Sequence, residues 1–271
     1  MSMAAYALAR DVRARKLSPA ETIRLLLWRN LLVARHSWYV LLTGFLEPVL
    51  YLFSIGIGVG HLVSGFTVDG RAIGYSDFVA PAMLATSAMN GAVMDATFNF
   101  FFKLKFAKLY DQQLATPLST FDIARGELSW SQLRGGVYGG AFLVVMLCMG
   151  LVHSWWALLA LPAALLLAFG FAAVCMALTT YMRTWQDFEY VTLATMPMLL
   201  FSATFYPVSA YPGWLRWIIE FTPLYRGVVL CRELTTGSLS WGALASVFYL
   251  LAFGMIGLLV TRRRLDALLL T

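Results

Sequence analysis

Long apolar stretches recur along this chain with only short polar gaps between them, and each is close to the ~20 residues an α-helix needs to cross a bilayer. A backbone in hydrocarbon must satisfy its own hydrogen bonds, so stretches of this length dictate a bundle of helices. Hydrophobic residues make up 60% of the 271 positions and charged residues 13%. The mean hydropathy is +0.73, so one membrane domain accounts for nearly the whole sequence.

Six spans are expected, at about Trp38–Val63, Phe78–Phe102, Leu128–Val152, Trp155–Met182, Phe188–Tyr206 and Trp241–Thr261. Only His153 and Ser154 separate the third from the fourth, which predicts a tight hairpin. The first 35 residues hold Arg10, Arg13, Arg15, Lys16, Arg24, Arg29 and Arg35 but no apolar run fit to be the core of a cleavable signal. With both termini in the cytoplasm, sixteen of the twenty Lys and Arg residues fall on that side, Arg125, Arg134, Arg183 and Arg262 to Arg264 among them; Arg71, Arg216, Arg226 and Arg232 fall outside. That asymmetry is the positive-inside pattern, and it explains the net charge of +6 without a nucleic-acid partner. Cys148, Cys175 and Cys231 fit neither a metal site nor a disulfide framework, and His36, His61 and His153 have no second ligand nearby in sequence. The expected division is a basic tail over 1–17, an interfacial helix over 18–35 and a transmembrane domain over 36–271.

Ser18-Pro19-Ala20-Glu21 reads as a helix start with a capping box, and the helix should run to about Ala34. Ile23, Leu26, Leu27, Leu31 and Ala34 share one face and Arg24, Trp28 and Arg35 another, as in a helix lying in the membrane surface. Two connections are unusual. In Lys103–Glu127, Phe106, Leu109 and Gln113 alternate with Lys108, Asp111 and Gln112 until Pro117 breaks the pattern, which predicts a short amphipathic helix offered to a cytoplasmic partner. In Pro207–Ser240, three prolines frame the apolar segment Gly213–Phe221, too short to span and suited to dipping into the outer leaflet and returning.

These two connections carry a resemblance to the type-2 ABC exporter permeases. Tyr110-Asp111-Gln112-Gln113-Leu114-Ala115-Thr116-Pro117-Leu118-Ser119 resembles that family's coupling-helix region. Lys108 to Gln113 stands where many relatives carry a Glu and a Gly. Phe205-Tyr206-Pro207, Pro212-Gly213-Trp214, Thr222-Pro223-Leu224 and Arg232 resemble its second signature. The resemblance covers residues 20–265, and the nodulation lipo-oligosaccharide exporters are the nearest branch, with the daunorubicin-type drug exporters next. It implies an all-α polytopic membrane protein with six transmembrane helices, an N-terminal amphipathic interfacial helix, a cytoplasmic coupling helix and short re-entrant external helices between spans 5 and 6. It also implies a location in the bacterial inner membrane, a separate cytoplasmic ATPase that holds ATP and Mg, and a second permease copy, identical or similar. The expected cargo is an amphiphile such as a glycolipid, a lipid-linked saccharide or a hydrophobic drug. No Gly-x-x-x-x-Gly-Lys-Ser/Thr phosphate loop occurs in this chain, so ATP is expected on the partner, and no cofactor, metal or catalytic residue is expected here.

The expected ATPase-coupling residues are Phe106, Leu109, Tyr110, Asp111, Leu114 and Thr116, with Arg24, Trp28 and Arg35 as a second contact. In the spans, Glu47, Asn90, Asp95 and Asn99 are polar where polarity is costly, so they either line a pathway or dimer interface or hold helices together. Phe98 and Phe100 to Phe102 mark either a lateral entrance or an interfacial aromatic belt. Tyr206, Pro207, Pro212, Trp214, Arg226 and Arg232 form the external re-entrant region, where Arg226 and Arg232 either meet an anionic head group or are simply solvated. An ion-coupled secondary transporter is the alternative, though no paired internal repeat is evident; a membrane-embedded enzyme would need clustered reactive groups at one depth.

Overall fold

The computed structural model describes residues 18–37, 46, 49–58, 66–68, 71–238 and 240–270. The basic tail, Glu47 with Pro48, His61 and most of the first expected span lie outside them. Nine helices are numbered here among the described residues: α1 (Pro19–Ala34), α2 (Tyr75–Met94), α3 (Leu109–Leu114), α4 (Thr120–Cys148), α5 (Ala160–Thr179), α6 (Phe188–Phe201), α7 (Gly213–Phe221), α8 (Pro223–Thr236) and α9 (Trp241–Leu269). A two-stranded antiparallel ribbon, β1 (Phe66–Val68) with β2 (Arg71–Ile73), pairs Phe66 with Ile73 just before α2. α2, α4, α5, α8 and α9 pack into one bundle, and α1 lies along α4. Trp155–Thr179 and Trp241–Leu269 are, among the described residues, the two helical segments long and apolar enough to cross a membrane.

The capping box at Ser18 forms as expected: Ser18 Oγ accepts from the Glu21 amide and Glu21 accepts from the Ser18 amide. Of the apolar face named from the sequence, only Leu26 is among the residues that α1 buries. Thr22, Leu26 and Asn30, four apart, are the buried residues, whereas Leu25, Trp28, Leu31 and Val33 point outward. The cause is Gly126, whose missing side chain admits Leu26 against α4.

Several expected boundaries move for local reasons. α4 begins eight residues before Leu128 because Ser119 and Asp122 form a second capping box. The turn into α5 spans 149–154, with Gly150 in the left-handed region, and is longer than two residues. α6 has 14 residues and so rises only ~21 Å at ~1.5 Å per residue. It ends where the Ser202 hydroxyl turns back to the Met198 carbonyl and Ala203 enters the left-handed region. In the connection between α6 and α9 it is α8, more than α7, that enters the bundle. α8 buries Leu224, Val228, Leu230 and Cys231, while α7 buries only Ile219 and exposes Trp214, Trp217 and Phe221.

α9 runs along α5 at backbone contact distance. A Cβ on Gly257 would lie 2.7 Å from the Val174 amide nitrogen and 2.8 Å from the Ala173 carbonyl carbon, atoms that cannot swing aside. Thr261 Oγ1 also donates to the Ala173 carbonyl at 3.1 Å. Small residues allow such an approach between membrane helices. Gly257→Val should therefore destabilise the detergent-solubilised protein by ~1–3 kcal/mol, read by thermal unfolding. Unchanged stability would mean that α5 and α9 sit farther apart.

Candidate functional site

The end of the bundle that carries Lys103, Lys105 and Lys108 holds a closely built polar assembly. α2 continues beyond Met94 with π-helical turns at Asp95–Asn99 and Phe102–Phe106. Such widened turns often mark functional sites in helices. Lys108 then adopts φ 45°, left-handed, and reverses the chain into α3. That conformation costs a residue with a side chain ~1–2 kcal/mol, so the packing of α3 must hold it.

Tyr110 is the anchor. It is 1% exposed, with its ring centroid 5.4 Å from that of Phe100. Burial, and then the negative Glu127 nearby, push its phenol well above the usual tyrosine range and keep it neutral. The sequence pattern places Tyr110 on the contact surface; the structure turns it inward. Phe106, Asp111 and Thr116 remain on the surface, with Leu109 and Leu114 half-buried. Arg24 and Trp28 of α1 and Arg35 just after it are also exposed.

Glu127, only 4% exposed, joins three elements behind α3. Arg29 Nη2 of α1 donates to Glu127 Oε1 at 3.0 Å, and Lys103 Nζ donates to Glu127 Oε2 at 2.5 Å. The same two cations reach Asn30 Oδ1 at 2.9 and 3.3 Å. Tyr110 faces this carboxylate without closing a hydrogen bond of good geometry. Glu127, Lys103, Arg29 and Asn30 are absent from the expected site. The signals for them were the spacing Thr22, Leu26, Asn30 and a carboxylate beside an apolar run, neither of which identifies partners 98 and 24 residues away.

A second buried cluster centres on Asp95, which is 2% exposed. Its Oδ1 accepts from Asn99 Nδ2 at 2.5 Å, Trp130 Nε1 at 3.2 Å and Arg134 Nη1 at 3.2 Å, and its Oδ2 from Ser131 Oγ at 3.0 Å. Asp95 and Asn99 thus come together, and the α4 partners of Asp95 lie within the same chain, an arrangement that holds α2 to α4. Asn90 is half-buried on α2, and Glu47 lies outside the described residues. Arg134, counted from sequence among the cytoplasmic-side cations near the start of the third span, is buried inside the bundle, and Trp130, Ser131 and Arg134 are further site residues that pattern reading missed.

The aromatic run that follows α2 packs against the segment that starts α6. Phe98 stacks on Phe188 at 4.3 Å, Phe101 meets Phe188 at 5.1 Å and Phe102 meets Trp185 at 5.2 Å. These rings tie the start of α6 to α2, each pair contributing ~0.5–1.5 kcal/mol beyond area burial. At the opposite end Arg232 is committed to protein. It donates to the Phe78 carbonyl from Nε and Nη2 and to the Ala203 carbonyl at 2.8 Å, with its guanidinium 3.8 Å over the Phe78 ring. It staples α8 to α2 and is not a free cation for a head group. Arg226 is half-buried, Tyr206, Pro212 and Trp214 are exposed, Pro207 is half-buried, and Arg216 pairs with Glu220 at 2.7 Å.

Comparison with known proteins adds to this geometry. A family model described as ABC-2 type transporter matches residues 21–235. Among curated relatives, Nodulation protein J of Rhizobium leguminosarum bv. viciae is 33% identical over 193 residues, 70% of this chain and 73% of the relative. The protein of the same name from Sinorhizobium fredii is 34% identical over 187 residues, 69% and 70% of the two chains. That from Bradyrhizobium diazoefficiens is 30% identical over 248 residues, 89% and 90%.

Proposed function

The chain belongs to the ABC-2 type transporter family, whose members are integral membrane subunits of transporters, and from that premise we propose that it is the permease of an ATP-driven exporter of an amphiphile. A glycolipid or lipid-linked saccharide is the cargo that the resemblance to the nodulation lipo-oligosaccharide exporters supports over a drug. Six spans cross the bacterial inner membrane with both termini in the cytoplasm. A separate ATPase binds ATP and Mg below them. A second permease copy covers the outward face of α6, where Leu193, Met196 and Leu200 are exposed within one narrow arc.

The observation that carries this reading is the construction of α3. A six-residue helix exposes Asp111, with Phe106 exposed in the turn just before it, while Tyr110 and the Glu127 ion cluster brace it against α1, α2 and α4 on the other side. A helix of that length has no independent stability, so its position reports directly on those three elements. ATP binding in the partner closes the nucleotide sites and pushes α3. The push reaches α2 through the π turns, α4 and α1 through Glu127, and α6 through the aromatic contacts of Phe98 and Phe101. Arg24, Trp28 and Arg35 form the second contact.

Affinity capture of the solubilised chain from its native membrane, with mass spectrometry and an ATPase assay, tests this. A P-loop ATPase should be recovered with the parent chain, and Asp111→Ala/Leu114→Ala should lose at least ~90% of it, since truncating central contacts costs ~1–2 kcal/mol each. A chain that purifies alone and transports without ATP would overturn the proposal.

A further inference from the structure

α5 and α6 follow one another in sequence yet do not pack along their length. An open groove of about 560 Å³ runs between them, of the size of a small-molecule site. Val174, Cys175 and Leu178 of α5 and Val191, Ala194 and Met198 of α6 line it, so its walls are apolar. The ends are closed differently. Pro223 reaches it at one end, and the loop holding Tyr181, Arg183 and Asp187 forms the other.

That second end is cationic. Arg183 is exposed at the mouth. Arg264 of α9 lies 3.9 Å over the Tyr181 ring, and its buried Nε has no acceptor among the described residues. Asp187 shares the mouth, but its carboxylate accepts from the backbone amides of Arg183 at 2.6 Å and Thr184 at 3.0 Å, which spends its charge locally. These hydrogen bonds, the Thr184 amide first, hold its pKa below the usual carboxylate range. Apolar depth with arginines at the basic end of the bundle is the chemistry that accepts an acyl chain below a phosphate.

We propose that the groove between α5 and α6 is a binding site for one anionic phospholipid, with its acyl chain between the two helices and its phosphate at Arg183 and Arg264. The lipid acts as a wedge that fills the space between α5 and α6. The inference rests on the membrane placement of these helices but not on the identity of the cargo or the ATPase, so its failure leaves the exporter proposal standing.

The test uses the full-length chain in neutral detergent, titrated with phosphatidylglycerol, phosphatidylcholine or inorganic phosphate, with melting temperature and native mass spectrometry as readouts. Phosphatidylglycerol should raise the melting temperature and remain bound, and the other two should not. Arg183→Gln/Arg264→Gln should weaken its binding by about fivefold per cation removed. Ala194→Phe, which fills the groove and leaves both arginines, should also abolish retention. Equal responses to the two lipids, a phosphate response matching that of phosphatidylglycerol, or full retention by either variant would overturn the proposal.

Discussion

Asp95→Ala should destabilise the protein by ~3–5 kcal/mol, the cost of leaving a buried arginine without its anion. Arg134 is 9% exposed and bonds Asp95 at 3.2 Å. Asp95→Asn should be nearly as damaging. Its four neighbours, Asn99, Trp130, Ser131 and Arg134, all donate to the carboxylate, and an amide would replace one acceptor oxygen with two further donors. Pairing Asp95→Ala with Arg134→Met should recover most of the loss, because an apolar pair of similar volume carries no stranded charge. Thermal unfolding of the solubilised variants reads all three. Full stability of Asp95→Ala alone would show that the residue faces water or a pathway instead of α4.

Glu127→Ala should have the next largest effect, about 3 kcal/mol, because Arg29 and Lys103 lose their common partner but stay partly in reach of water. Its second consequence is functional. With the carboxylate gone, α1 and the end of α2 are no longer tied to α4 behind Tyr110, so transport should fall more than ATP hydrolysis does. Glu127→Gln separates the two effects. It keeps the volume and can still accept from one cation, so it should fold while coupling suffers. A Gln variant with parental transport per ATP hydrolysed would remove Glu127 from the transmission route.

Much of the architecture is legible in the sequence because membrane helices must be long, apolar and internally bonded, and because local caps are local chemistry. Ser18 and Glu21 are three residues apart, and their mutual hydrogen bonds need nothing else from the fold. The short amphipathic segment before Pro117 was also readable, since its pattern lies within a few residues. Tyr110 was misassigned because a half-exposed hexamer leaves too few residues for periodicity to say which face is inner. The early end of α6 was missed for a related reason: Ala203 in a left-handed conformation has no compositional signature.

The sequence by itself therefore determined the class of solvent, the recurrence of helices, the capped start of α1 and the two connections whose residues mark the family. Tertiary structure alone decided which polar residues meet. Glu127 finds Arg29 across 98 positions and Asp95 finds Arg134 across 39 because close packing at Gly126 and Gly135 brings α1 and α2 onto α4. A buried charge must be matched by some partner, but which one is set by helix approach distances that no local pattern encodes.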